Sequence, residues 1–266
     1  MALDYRFSLT VFIILVLLQG CGGSTHSEAI NNEQNSIVDI NNNLAITDNT
    51  NVSAFRILLF GNSHIAGQGS LITTLIRHAN PNVTTLTQSL SGGYLSEQLT
   101  QSSAINTLED NNWTHVILQG QKYSQSGTIE YSTTAAQTLI AKTKSLGATP
   151  ILFPEHPQKG NSTEAQRVYD LHQSINEQQR SCVAPVGLVW DYAMAQRPDL
   201  SFHSKDGNHA NPLGSLLTAM VFYETITGQP AELLPIISEL NIDGPLQQQL
   251  GQWVSVVLAN HPPCSF

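Results

Sequence analysis

The chain has 266 residues, of which 41% are hydrophobic and 12% charged, and its formal charge is -9. A body of about two hundred residues buries a full core as one α/β domain. The net negative surface repels phosphate backbones and argues against nucleic acid as a partner.

The N-terminus carries the first signal. Arg6 supplies a short positive region, and VFIILVLL at 11–18 is an apolar run too short to span a bilayer but long enough for a signal-peptide core. Leu18-Gln19-Gly20-Cys21 follows and resembles a bacterial lipobox. The resemblance implies removal of residues 1–20, lipidation of Cys21, export, and attachment to a membrane rather than a span through it. Gly22, standing where an inner-membrane sorting signal has Asp, implies the outer membrane in a Gram-negative host. The alternative is a buried N-terminal helix or strand, against which polar sequence follows at once. Residues 21–54 are read as the lipidated cysteine and an Asn/Ser-rich tether, with one short strand candidate at 36–40. The body is expected over 55–266.

With Cys21 lipidated, Cys182 and Cys264 remain, and an oxidising compartment permits their pairing. A Cys182–Cys264 bridge closes a long loop and stabilises by roughly 4 kcal/mol on the entropy account; two free thiols are the alternative. No CxxC or Cys/His cluster has metal-ligand spacing, so no metal is expected.

Across the body, short β-rich runs alternate with helix-length segments. The strand candidates are 55–60 (FRILLF), 82–89, 115–119, 150–154 and 184–189 (APVGLV). Helix candidates are 68–79, 94–108, 132–145, 163–179, 212–227 and 245–259. This alternation predicts βαβ units: an α/β, three-layer α/β/α sandwich with a mostly parallel sheet of about five strands. Ligands of such sheets bind outside the carboxyl ends of the strands, so the residues after each strand come next.

Gly61-Asn62-Ser63-His64 follows the first strand. A serine on a tight strand-to-helix turn is placed as a nucleophile; the plain alternative is a helix N-cap. Gly92-Gly93 follows the second strand, where an N–H can serve as an oxyanion donor or simply make a turn. Gln119-Gly120-Gln121 follows the third, and a carboxamide N–H there can hold an oxyanion or be an ordinary loop group. Glu155-His156 follows the fourth and reads as pocket wall. Asp206-Gly207-Asn208-His209 precedes the late helix. His209 is the candidate base, and Asp206 is placed to orient its imidazole; alone, an Asp-Gly turn before Pro212 accounts for the same text. The combination along one sheet edge gives the reading its weight.

These blocks resemble the SGNH (GDSL-like) hydrolases over 55–228. Gly61-Asn62-Ser63 matches the family's G-[DN]-S block, and Asp206 with His209 matches D-x-x-H. The resemblance implies a flavodoxin-like sheet and a Ser63–His209–Asp206 triad, with Gly92 or Gly93 as a backbone oxyanion donor. The third block, G-x-N-D in the family, departs here to Gln119-Gly120-Gln121-Lys122 and is closer to Q-G-E-like branches active on sugar esters. The donor role carries to Gln119 first and Gln121 second. His64 is not the family's base and is expected to pack against the pocket. The expected activity is hydrolysis of small acyl esters, including O-acetyl groups of carbohydrates, through an acyl-enzyme that needs no cofactor. An O-acyltransferase, or a catalytically weak glycan-binding envelope lipoprotein, is the alternative.

Overall fold

The computed structural model describes residues 45–110 and 112–266. The signal peptide expected over 1–20, the expected lipidation site Cys21 and the strand candidate at 36–40 lie outside the described residues.

The sheet is built on β1 (Ala54–Gly61), whose residues Ile57 to Phe60 are completely buried. Their side chains alternate. Ile57 and Leu59 enter one core, and Leu58 and Phe60 enter the other. A strand covered on both faces must be apolar at every position, which is why FRILLF shows no alternation. β2 (Thr84–Ser91), β3 (His115–Leu118), β4 (Thr149–Leu152) and β5 (Cys182–Val183) complete an all-parallel sheet in the order β2-β1-β3-β4-β5. That is the flavodoxin-like, doubly wound order. The sandwich is the one the SGNH resemblance implies.

Helices cover both faces. On one side lie α1 (Gln68–Ala79), α6 (Val186–Gln196), α7 (Pro212–Thr227) and α8 (Gly244–Asn260). On the other lie α3 (Ser102–Asp110), α4 (Thr134–Ser145) and α5 (Glu164–Gln178). No described helix is long and apolar enough to cross a membrane. The edge strand β2 is mostly exposed and polar, TTLTQSLS. At the opposite edge the C-terminal tail covers β5: the Val183 N–H donates to the Pro263 carbonyl at 2.7 Å. A Cys182–Cys264 disulfide fixes the tail there.

Three expectations need correction. The strand read over 184–189 is not one: β5 ends at Val183, and α6 begins at Val186. Pro185 stands at the break, and Val186, Val189, Trp190 and Ala193 form the buried stripe of a helix. The helix read over 94–108 is two, α2 (Leu95–Gln98) and α3. Buried Gln98 donates to the Leu90 carbonyl at 2.6 Å and the Gly61 carbonyl at 3.3 Å, tying α2 to the strand ends before the chain turns away. The body also starts before residue 55. Ile46 is in the core. The Asn49 side-chain amide donates to the Thr114 carbonyl and to Thr149 Oγ1, both at 3.0 Å. The last residues assigned to the tether therefore pack on the domain.

Candidate active site

The carboxyl ends of β1, β3 and β4 open into a cleft of about 290 Å³ lined by Ser63, His64, Tyr94, Gln119, Glu155 and His209 among others. β1 ends in Gly61, after which Asn62 leaves the strand with φ -112° and ψ -146°. Its Oδ1 accepts the His64 N–H at 3.0 Å, closing a single tight turn that starts at Ser63. The turn holds the Ser63 hydroxyl outward at the sheet edge.

The partner histidine arrives on the loop between α6 and α7. His203 and Ala210 pair as an antiparallel bridge, Ser204 N–H donates to the His209 carbonyl at 2.7 Å, and Gly207 turns with φ +72°. Asp206 Oδ1 accepts the backbone N–H of Asn208 and of His209, each at 3.0 Å. Its Oδ2 accepts from His209 Nδ1 at 2.6 Å, and His209 Nε2 lies 2.8 Å from Ser63 Oγ. The His209 side chain above all, and then the backbone N–H groups of His209 and Asn208, hold the Asp206 carboxyl far below the usual carboxylate range. Asp206 is therefore ionised, its charge fixes the Nδ1–H tautomer, and Nε2 is left to accept the Ser63 proton.

His156 steadies this loop from behind. Its ring stacks on Trp190 at 3.9 Å, and its Nε2 lies 2.9 Å from the Asn208 carbonyl. Burial, then His64, pushes His156 down to about 3, so the neutral ring donates an Nε2–H to that carbonyl. Asn211 starts α7 by accepting the Leu213 and Gly214 N–H groups, with Pro212 in the first turn. Gly214 leaves room for the loop: a Cβ there would lie 2.3 Å from the Phe202 carbonyl oxygen and 2.6 Å from Trp190.

The oxyanion candidates separate on their partners. The Gly92 N–H donates to the Gly61 carbonyl at 3.0 Å, so it extends the sheet and is not a free donor. Gln121 is also corrected. Its Nε2 donates to the carbonyls of Lys122, Tyr131 and Ser132, pinning the base of the 121–132 loop. Among the described residues, the Gly93 and Ser63 N–H groups have no intramolecular acceptor. Gln119 is 1% exposed. Its Oε1 accepts the Asn62 N–H at 2.7 Å, and its Nε2 donates to Glu155 Oε2 at 3.0 Å. One Nε2 hydrogen is unspent. Gly61 is required by this contact, because a Cβ would sit 2.3 Å from Gln119 Oε1.

Glu155 and His64, read from the sequence as pocket wall and pocket contact, are joined here by Tyr123 and Glu164, which the sequence reading did not single out. Glu155 has a 22% exposed side chain, 3.7 Å from His64 Nε2. Burial, with the nearby Glu164 adding to it, raises its carboxyl to about 7 against the opposing hydrogen bond from Gln119. Tyr123 donates to buried Glu164 at 2.7 Å, and Glu164 also accepts the Gln158 N–H at 2.7 Å. His64 stacks over His209 with ring centroids 5.1 Å apart. Burial, then His209, pushes it down to about 4, so its contact with Glu155 is not an ion pair at neutral pH. The pocket contact expected of His64 is what it makes.

The sequence matches no family model and no curated protein. Solved structures do match. A DUF4886 family protein from Bacteroides uniformis aligns with 80% of this chain and 97% of its own, at 13% identity and a TM-score of 0.59. The two chains share a fold. A two-domain esterase active on acetylated mannans aligns with 76% of this chain and 55% of its own (14% identity, TM-score 0.49). A lipase/acylhydrolase from Enterococcus faecalis aligns with 65% and 96% (16% identity, TM-score 0.48).

Proposed function

We propose that this chain is a serine ester hydrolase of the SGNH type, acting on small acyl esters such as the O-acetyl groups of carbohydrates. One observation carries the reading: Ser63 Oγ, His209 Nε2, His209 Nδ1 and Asp206 Oδ2 form one continuous chain of hydrogen bonds, 2.8 Å and 2.6 Å long, at the mouth of a cleft. Ser63 Oγ attacks the ester carbonyl carbon as His209 Nε2 takes its proton. The oxyanion faces the Ser63 and Gly93 N–H groups and the free Nε2 hydrogen of Gln119. Collapse expels the alcohol, which receives the proton from His209, and leaves an acyl-Ser63. Water, deprotonated by His209, then releases the acid and restores Ser63.

The half-exposed His209 and Asp206 side chains make a shallow site, suited to an ester projecting from a larger body. Tyr94, 37% exposed in the cleft wall, offers a ring face on which a sugar can stack. The lipobox-like Cys21 places the enzyme at a bacterial membrane facing an exported compartment. A disulfide is at home there. The diverted Gln119 amide favours one second reading, a glycan-binding protein with weak turnover. A sugar hydroxyl in place of water would make the same site an acyltransferase.

Hydrolysis of p-nitrophenyl acetate by the wild type and by Ser63→Ala tests the reading. The variant should lose at least about a thousandfold in kcat; equal rates would remove the assignment.

A further inference from the structure

We propose that Glu155 is a positioning residue that holds the Gln119 amide as the side-chain donor of the oxyanion site. The proposal rests on the esterase reading and goes beyond it by giving a role to a carboxyl that the triad does not use.

A carboxamide in an active site is useful as a donor only if its two ends are told apart. Flipped, Gln119 would present a lone pair where the negative charge develops. Both ends are fixed here by opposite partners. The Asn62 N–H, 2.7 Å away, can only donate, so it selects Oε1. Glu155 Oε2, 3.0 Å from the other end, selects Nε2. A flip would set donor against donor at Asn62 whatever the charge on Glu155, and acceptor against acceptor at Glu155 when that carboxyl is ionised. Two partners leave one Nε2 hydrogen unspent, and Gln119 lines the cleft that contains Ser63.

The charge on Glu155 matters because the group it steadies must stabilise an anion. The groups facing it are His64 from the turn after β1, Tyr123 from the loop after β3, Glu164 from α5 and His209 from the loop before α7. His156 is next to it in the chain, and Arg167 lies 3.6 Å behind Glu164. Burial lifts the Glu155 carboxyl to about 7. Protonated, Glu155 still accepts from Gln119 through its carbonyl oxygen and places no negative charge beside the oxyanion. Ionised, it keeps the hydrogen bond and opposes the transition state. Turnover therefore gains an alkaline limb from Glu155.

The experiment measures kcat and KM for p-nitrophenyl acetate from about pH 5 to 9. It uses the full chain as wild type, Ser63→Ala, Glu155→Ala, Glu155→Gln, Gln119→Ala and the Gln119→Ala/Glu155→Ala pair. Glu155→Ala should lower kcat by about tenfold or more with KM nearly unchanged, short of the ~10²–10³ lost with a whole donor. Glu155→Gln should recover most of that loss and lack the alkaline limb. The double variant should be no slower than Gln119→Ala, because the support Glu155 gives the rate runs through that amide. Wild-type kcat in Glu155→Ala, losses that multiply in the double variant, or an alkaline limb that survives in Glu155→Gln would each overturn the proposal. Equal rates for wild type and Ser63→Ala would instead remove the esterase reading, and this proposal with it.

Discussion

Gln119 and Gln121 stand two residues apart in one strand-end motif, yet they do different work. Gln119 has one hydrogen left over inside the cleft, whereas Gln121 gives its amide to three backbone carbonyls. Replacing Gln119 by Ala should therefore reduce kcat by about 10²–10³, near 3 kcal/mol of transition-state stabilisation. Replacing Gln121 by Ala removes the hydrogen bonds that pin the base of the 121–132 loop and should lower the melting temperature instead. Kinetics and thermal melts of the pair check this; a catalytic loss confined to Gln121→Ala would reverse the assignment. At this scale the meeting of Ser63, His209 and Asp206 was legible in the sequence because each sits in a short local motif, Gly61-Asn62-Ser63 or Asp206-x-x-His209, whose geometry the backbone sets within a few residues. The Gln119–Glu155 and Tyr123–Glu164 contacts were not. They join positions 36 and 41 residues apart, and no local spacing encodes them. The choice between Gly92 and Gly93 stayed open because sequence cannot say which of two adjacent glycine N–H groups the sheet consumes.

At the level of elements, hydrophobic pattern located β1, α1, α4, α5, α7 and α8 to within about two residues. It failed at 184–189. A short apolar run beside Pro185 fits a buried strand as well as the first turn of a buried helix, and only the longer stripe through Ala193 decides for the helix. α6 then matters to the site, since its Trp190 supports His156 and packs against Gly214. Gly214→Ala must push Trp190 or the Phe202 carbonyl aside. It should destabilise the domain by about 1–3 kcal/mol and lower kcat as well, because the displaced loop carries His209. Urea unfolding with parallel kinetics measures both; a variant with unchanged midpoint and rate would show that the contact is not required.

Across the whole molecule, buried histidines set the response to acid. Burial is the first cause in each case, and it holds His64 and His172 at about 4 and His115 and His156 at about 3. The unfolded chain protonates these rings below about 6.5. Their contribution to stability is thus complete above that pH and is lost as pH falls toward the folded values. Glu155, raised to about 7, and Asp191, raised to about 6, act in the opposite sense. Burial keeps them protonated, and the stability they confer at low pH is lost as pH rises through those values. Glu224 is raised too. The four imidazoles taken together outweigh these carboxylates, so the melting temperature should fall as pH drops from about 6.5 to 4.5. A flat or rising melting temperature over that range would contradict the burial of neutral histidines.

The central claim is that Ser63, His209 and Asp206 act as one catalytic unit. Intact-mass and peptide analysis after incubation with a fluorophosphonate tests it most directly, because the reagent reports an activated serine whatever the natural ester is. The account predicts one adduct per chain, on the peptide containing Ser63, abolished in Ser63→Ala and nearly so in His209→Ala. An unlabelled wild type, or labelling of Ser63 that persists without His209, would contradict it.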